Sequence, residues 1–337
     1  MNRSTIVYGS ISLFLGTSIA WAASESTVSQ LGLENNAQIE QSTSSDAISS
    51  ILQEGDQNSV VAQQYDSVSG EVSVLQTGDL NDATIWQGAG SDNILNLTQL
   101  GELQTADITQ EGSENVATIS QEGPSGALSG NAISGLQSGT ANAVEAAQSG
   151  VGNIKIYIVI GDFILLLNAQ WGSYNFAYEE LTGTNLFASV EQIGNYNVVG
   201  LVQSGDTDIV YIHQDGSYNI SDIYQEGLVD IASIEQLGDL NAAYIDQVGD
   251  SNIADIYQEG DGNIADIYQE DDLNDAYIGQ IGDDNFAAIY QAGEGNFASI
   301  EQAGVAYWAS IDQSGAFNSA SLMQDGMNNI ASITQVN

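Results

Sequence analysis

Between Gln192 and Gln335 the chain repeats one short pattern of polar and apolar positions. Gln recurs every eleven residues, at Gln192, Gln203, Gln214, Gln225, Gln236, Gln247, Gln258, Gln269, Gln280, Gln291, Gln302, Gln313, Gln324 and Gln335. Two residues after the Gln comes Gly in twelve of the fourteen cases; Asp271 breaks that rule and Asn337 is the last residue. Five after it stands Asn (Asn197, Asn219, Asn241, Asn252, Asn263, Asn274, Asn285, Asn296, Asn318, Asn329), replaced elsewhere by Asp208, Asp230 and Tyr307. Seven after it stands Ala in ten of thirteen units, and nine after it Ile or Leu in all thirteen. Asn, Ala, Ile and the next Gln are two residues apart, the strand period, so they share one face. The residues between them vary and are mostly polar, as with Asp255, Tyr257, Asp266 and Tyr268. The constant face is therefore expected inside and the variable face outside. Gly238, Gly249, Gly260, Gly282 and Gly293, with acidic and small neighbours, mark the turn that ends each strand.

The N-terminal half indicates how many strands make a coil. Gln30, Gln41, Gln53, Gln64, Gln76, Gln87, Gln99 and Gln110 are spaced alternately eleven and twelve residues apart. Two alternating spacings mean that the true repeat contains two units with two kinds of turn. The expected fold is all-β: a β-solenoid with two short strands per coil, each coil taking about 22–23 residues. About 28 units make about 14 coils, each adding ~4.8 Å. Two stretches depart from the pattern. Gln121 to Gln137 contains GPSGALSGNAISG and the only Pro, and it shifts the spacing by five residues, as a loop would. Asn153 to Gln170, NIKIYIVIGDFILLLNAQ, has Val159 in a Gln position and Lys155 in the inward Ala position. A local register slip that turns Ile154, Ile156, Ile158 and Ile160 inward is expected there.

Composition limits the function. The chain has 45 acidic and two basic residues, Arg3 and Lys155, for a net charge of −43. Without cations it has no means of gripping nucleic-acid phosphates or anionic lipid. Its 42% hydrophobic residues and 15 Tyr are too many for a disordered acidic tail. There is no Cys and a single His, His213, at an outward position, which supports neither a transition-metal site nor a nucleophilic triad. The carboxylates recur in equivalent surroundings, whereas paired acid and base catalysts need different ones. No enzyme and no dedicated cofactor are expected; loose divalent-cation binding by rows of outward carboxylates is the remaining candidate chemistry. The start, MNRSTIVYGSISLFLGTSIAWAA, has one positive charge, a short apolar run and a small-x-small end. It reads as a secretory signal peptide cleaved after Ala22. The expected organisation is 1–22 signal peptide, 23–121 repeats with 11/12 spacing, 122–191 irregular repeats, and 192–337 regular repeats.

Stacked coils would put each Gln over the next, so that side-chain amides bond along the stack beside the backbone ladder. Asn would do the same at the strand start. A buried amide left unpaired costs roughly 1–3 kcal/mol, so such ladders fix register. No capping segment is recognisable at either end of the repeat array, and an uncapped solenoid edge invites another copy. The run A-S-I-E-Q-L-G-D-L-N-A-A (Ala232 to Ala243), recurring with every pair of units, resembles the curlin repeat of curli fibres. The resemblance implies an extracellular amyloid subunit, either the major subunit or a nucleator. It also implies export by a Gram-negative outer-membrane apparatus, a nucleator as partner, and a role in biofilm matrix and adhesion. The chain departs from that family in having many more coils, in greater acidity, and in lacking an evident targeting segment before the first repeat. The alternatives are a monomeric acidic solenoid adhesin and a calcium-binding repeat protein, although the nonapeptide of calcium β-rolls is absent.

Overall fold

The computed structural model describes residues 24–126 and 129–337. The signal-peptide reading, with cleavage after Ala22, lies outside the described residues. These residues form two compact units, one ending at Tyr174 and the other beginning at Asn175.

The first unit is a two-sheet β-solenoid. One sheet stacks Glu25–Leu31, Ile48–Glu54, Glu71–Thr77, Ile94–Leu100, Val116–Glu122, Ala143–Val151 and Leu165–Ser173. The other stacks Asn36–Ser42, Ser59–Tyr65, Asp82–Gln87, Thr105–Ser113, Ala132–Thr140 and Ile154–Asp162. The chain alternates between the sheets, so strands adjacent in sequence lie on opposite walls and every pairing is parallel. Like pairs with like: Gln30 faces Gln53, Ile51 faces Val74, and Ala83 faces Ala106. The extra residues of the 122–131 connection leave this register intact, because Gln110 still faces Gln137 and Gln121 faces Gln148.

The second unit is a β-solenoid of the same kind. Phe187–Asn195, Ile209–Ser217, Ile231–Leu237, Ile253–Glu259, Asp275–Ile281, Phe297–Val305 and Ser319–Met327 form one wall. Phe176–Thr184, Val198–Asp206, Ile220–Leu228, Ala242–Asp250, Ile264–Glu270, Phe286–Ala292, Trp308–Ser314 and Ile330–Val336 form the other. The core is a thin layer between the walls. Ala254, Ala265, Ile256 and Ile267 are fully buried, while Ile253 and Ile264 stay exposed. The tandem octets NIADIYQE at 252–259 and 263–270 therefore stand on opposite walls, each with its own partners one coil away.

The register slip expected at Ile154–Ile160 does not occur. Lys155, Tyr157 and Val159 are buried, whereas Ile154 and Ile160 are 44% and 41% exposed. The strand is held from both ends. Asn153 accepts no shift, because its backbone N–H bonds Asn131 Oδ1 (3.1 Å) and its Nδ2 bonds the Gly172 carbonyl (3.0 Å). At the other end Gly161 pairs with Gly139. A slip of one residue would break both corners and the in-register pairing with the neighbouring coil together. The interior adapts instead: Gly135 faces Tyr157 and leaves room for its ring, over which the Lys155 ammonium lies 5.7 Å from the centroid.

Candidate functional site: amide columns and glycine corners

The inward Gln side chains form continuous columns. In the first unit one column runs Gln30, Gln53, Gln76, Gln99, Gln121, Gln148, Gln170, each Nε2 donating to the next Oε1 at 2.6–3.0 Å. The second runs Gln41, Gln64, Gln87, Gln110, Gln137 at 2.8–2.9 Å. In the second unit the columns are Gln192, Gln214, Gln236, Gln258, Gln280, Gln302, Gln324 and Gln203, Gln225, Gln247, Gln269, Gln291, Gln313, Gln335, at 2.8–3.0 Å throughout. The amides also do something the spacing did not reveal. In most of them the second N–H crosses to a backbone carbonyl of the preceding strand, sixteen residues earlier in Gln258 to Ala242 (3.0 Å) and Gln269 to Ile253 (2.9 Å), seventeen in Gln53 to Asn36 (3.1 Å). One side chain thus ties its own wall to the opposite one. Where the column is interrupted the cost is visible: Leu181 faces Gln203, and the Gln203 Oε1 is buried without a partner.

Asn bonds along the stack in several coils, with Asn285 Nδ2 donating to Asn263 Oδ1 (3.0 Å) and Asn318 Nδ2 to Asn296 Oδ1 (3.0 Å), and it also locks the corner. The Asn241 backbone N–H donates to Asn219 Oδ1 (3.0 Å) while its Nδ2 donates to the Gly260 carbonyl (2.8 Å). Asn197, Asn219, Asn263, Asn285 and Asn296 make the same bond to the Gly nineteen residues on, at 2.7–3.0 Å. Asn274 and Asn318 use carbonyls of their own turn instead, and Asn329 bonds the Asp325 carbonyl. At Asn252, opposite the Gly-to-Asp exchange at Asp271, Nδ2 is buried without a partner.

The Gly positions are determined by packing more than by backbone freedom. Gly238, Gly249, Gly260, Gly282 and Gly293 all have φ between 107° and 129°, but a Cβ on Gly260 would also overlap the Gly282 carbonyl of the next coil. The corner contains a second positive-φ residue that needs no Gly: Leu240, Ser251, Leu273 and Asp284 all sit near φ 60° with their side chains outward. Acidic residues finish the corner. Asp261 Oδ1 accepts from the Asp239 N–H (2.9 Å) and Asp283 Oδ1 from the Asp261 N–H (3.1 Å), so part of the negative charge caps backbone donors.

A family model described as the curlin associated repeat matches residues 71–101, 105–126, 232–260, 249–282, 260–293, 282–304 and 309–336. Over these stretches the chain carries curlin associated repeats. The matched curlin repeats flank 127–231, the part that contains the inserted connection, the buried Lys155 strand and the Asp corners. A search among curated proteins returned no match.

Two corners carry acid in place of amide. Asp208 and Asp230 are fully buried; Asp208 Oδ1 accepts from the Asp230 N–H (2.9 Å) and Asp230 Oδ1 from the Asn252 N–H (2.8 Å). Their Oδ2 atoms, in the place from which Asn donates, have no partner. Burial pushes the carboxyls up, to about 6 for Asp208 and about 7 for Asp230. When protonated, such a carboxyl carries a donor where Asn carries its amide N–H. On the outer surface His213 Nδ1 lies 3.1 Å from Glu191 Oε2. Among the described residues no group of three or more His, Cys, Asp or Glu is close enough to hold a metal ion.

Proposed function

We propose that this chain is an exported, self-assembling fibre subunit of curli type, which polymerises by stacking one solenoid edge on another copy and serves biofilm matrix and adhesion. The observation that carries this reading is the state of the outermost coils. At one edge Gln30 gives its N–H to Gln53 while its Oε1 is buried without a donor. At the other edge Gln324 accepts from Gln302, and the inward residues Ala331, Ile333 and Gln335 are only half-buried, unlike their equivalents in every inner coil. Among the described residues nothing pairs with the outer sides of Glu25–Leu31, Asn36–Ser42, Ser319–Met327 or Ile330–Val336. One edge offers acceptors and the other donors, spaced as the columns are, so a second copy can extend both the backbone and the amide ladders. The net charge of −43 opposes association, so salt or acid should speed it.

The test is fibre formation by the protein without its leader, followed by thioflavin-T and electron microscopy, with fibre diffraction for a reflection near ~4.7 Å. Ile333→Asp places a charge on the open edge and should slow elongation strongly while leaving the far-UV spectrum of the monomer unchanged. A chain that stays monomeric at high concentration and in high salt would point to the solitary adhesin instead.

A further inference from the structure

On the outer face of the second unit, one wall carries a checkerboard of tyrosine and aspartate. Along one row Asp222 pairs with Tyr244 and Tyr244 with Asp266. Along the row beside it Tyr224 pairs with Asp246, Asp246 with Tyr268, and Tyr268 with Tyr290. These residues line a shallow groove of about 510 Å³. Its wall is aromatic: the Tyr268 and Tyr290 rings stack with centroids 5.0 Å apart and planes within 4°. At its floor the Asp246 Oδ1 is buried and has no hydrogen-bond partner. Burial raises the carboxyls of Asp222, Asp246 and Asp266, and Asp246 is raised further by the charges of Asp266, Asp222 and Glu226. The groove is a place where negative charge is concentrated, partly desolvated and left without a counter-charge.

We propose that this groove binds a linear organic polycation, a polyamine whose ammonium groups are separated by three or four methylenes. Successive carboxylates step one coil along the stack, ~4.8 Å, and alternate between the two rows. A single metal ion cannot reach them together, and no metal-holding cluster exists among the described residues. A flexible chain lying between the rows can reach them in turn, because an aminopropyl segment spans close to one coil. Its methylenes rest on the tyrosine faces and its ammonium groups gain both carboxylate and ring contacts. The cation has to come from another molecule. The chain has two basic residues: Arg3 lies outside the described residues, and Lys155 is buried within the first unit.

Equilibrium dialysis of labelled spermine against the full chain, at fixed ionic strength, tests this site independently of fibre formation. Saturable binding is expected, with propylamine at equal charge concentration a poor competitor. Asp246→Asn keeps the shape of the floor and should weaken binding by about tenfold, the loss of roughly one charged contact. Tyr268→Leu removes the aromatic wall without altering charge and should weaken it by a smaller factor. Asp255→Asn makes the same charge change on the opposite wall and should leave binding within twofold. Equal weakening by Asp246→Asn and Asp255→Asn would mean a diffuse ion atmosphere and overturn the site, as would unsaturable uptake.

Discussion

The two units build the same coil from different lengths of chain. In the second, partners in the Gln columns are always 22 residues apart. In the first they are 23, 22 and, across the 122–131 connection, 27 residues apart. Yet strand register is the same in both, residue type facing residue type. The difference shows that a solenoid of this kind absorbs length at its corners and none in its strands. It also separates two sorts of corner: closed ones, where Gly and Asn follow each other with no insertion, and an open one, 122–131, which carries inserted residues.

The largest expected effect contrasts one substitution at both sorts of corner. Gly260 has φ 113° and its Cβ would overlap the Gly282 carbonyl, while Gly126 has φ 77° with nothing within 4 Å of an added Cβ. Gly260→Ala combines a forbidden backbone region with a backbone clash and should cost at least ~3 kcal/mol. Gly126→Ala carries only the left-handed strain, about 1 kcal/mol. Urea midpoints of the two variants measure this. Equal losses would mean that the corners are alike and that the comparison fails.

A smaller effect lies within the second unit, where Asp208 and Asp230 replace corner Asn. Their carboxyls titrate near 3.8 when unfolded but at about 6 and about 7 when folded, so the folded state holds protons that the unfolded state has released. Below pH 4 both states are neutral and nothing is lost. Stability then falls as pH rises through 4 to 7, and stays at its lower value above that. Asp206 and Asp250, which face the pair, deepen the fall. Asp208→Asn with Asp230→Asn restores the amide donors, so it should raise stability at pH 8 by roughly a few kcal/mol and flatten the slope between pH 5 and 8. Asp222, Asp246 and Asp266 are raised too, so part of the slope will remain. An unchanged slope in the double variant would show that the corner acids are not the source.

Much of this was legible in the sequence because each repeated residue has a single geometric task. Period two places Ala254, Ile256 and Gln258 inside, and the alternation of eleven and twelve requires two walls. The strand at Lys155 misled because burial preference was weighed residue by residue; four isoleucines looked decisive, but the Asn153 and Gly161 corners fix the strand before its side chains are consulted. The crossing bonds of Gln and the carbonyl bonds of Asn left no trace, since a side chain's second hydrogen bond imposes no further spacing. The Tyr and Asp groove was also hidden, because its members lie a full coil apart along the chain, at positions that vary from unit to unit.

The smallest expected effect is at the open corner itself. Between Glu122 and Asn131 the chain takes five residues more than a 22-residue coil requires, and both flanking Gln pairs still close at 2.8 and 3.0 Å. Removing five residues from within 123–130 would give this coil the spacing of the second unit. Loop closure depends only logarithmically on length, so stability should change by less than ~1 kcal/mol, and in the favourable direction if the shorter corner closes without strain. The urea midpoint of the deletion variant reads the result. A loss of several kcal/mol would mean that the connection packs against the stack and is part of the coil. Near-neutrality would instead mean that the repeat fixes only what lies between Asn and Gln, leaving the corners free to carry insertions.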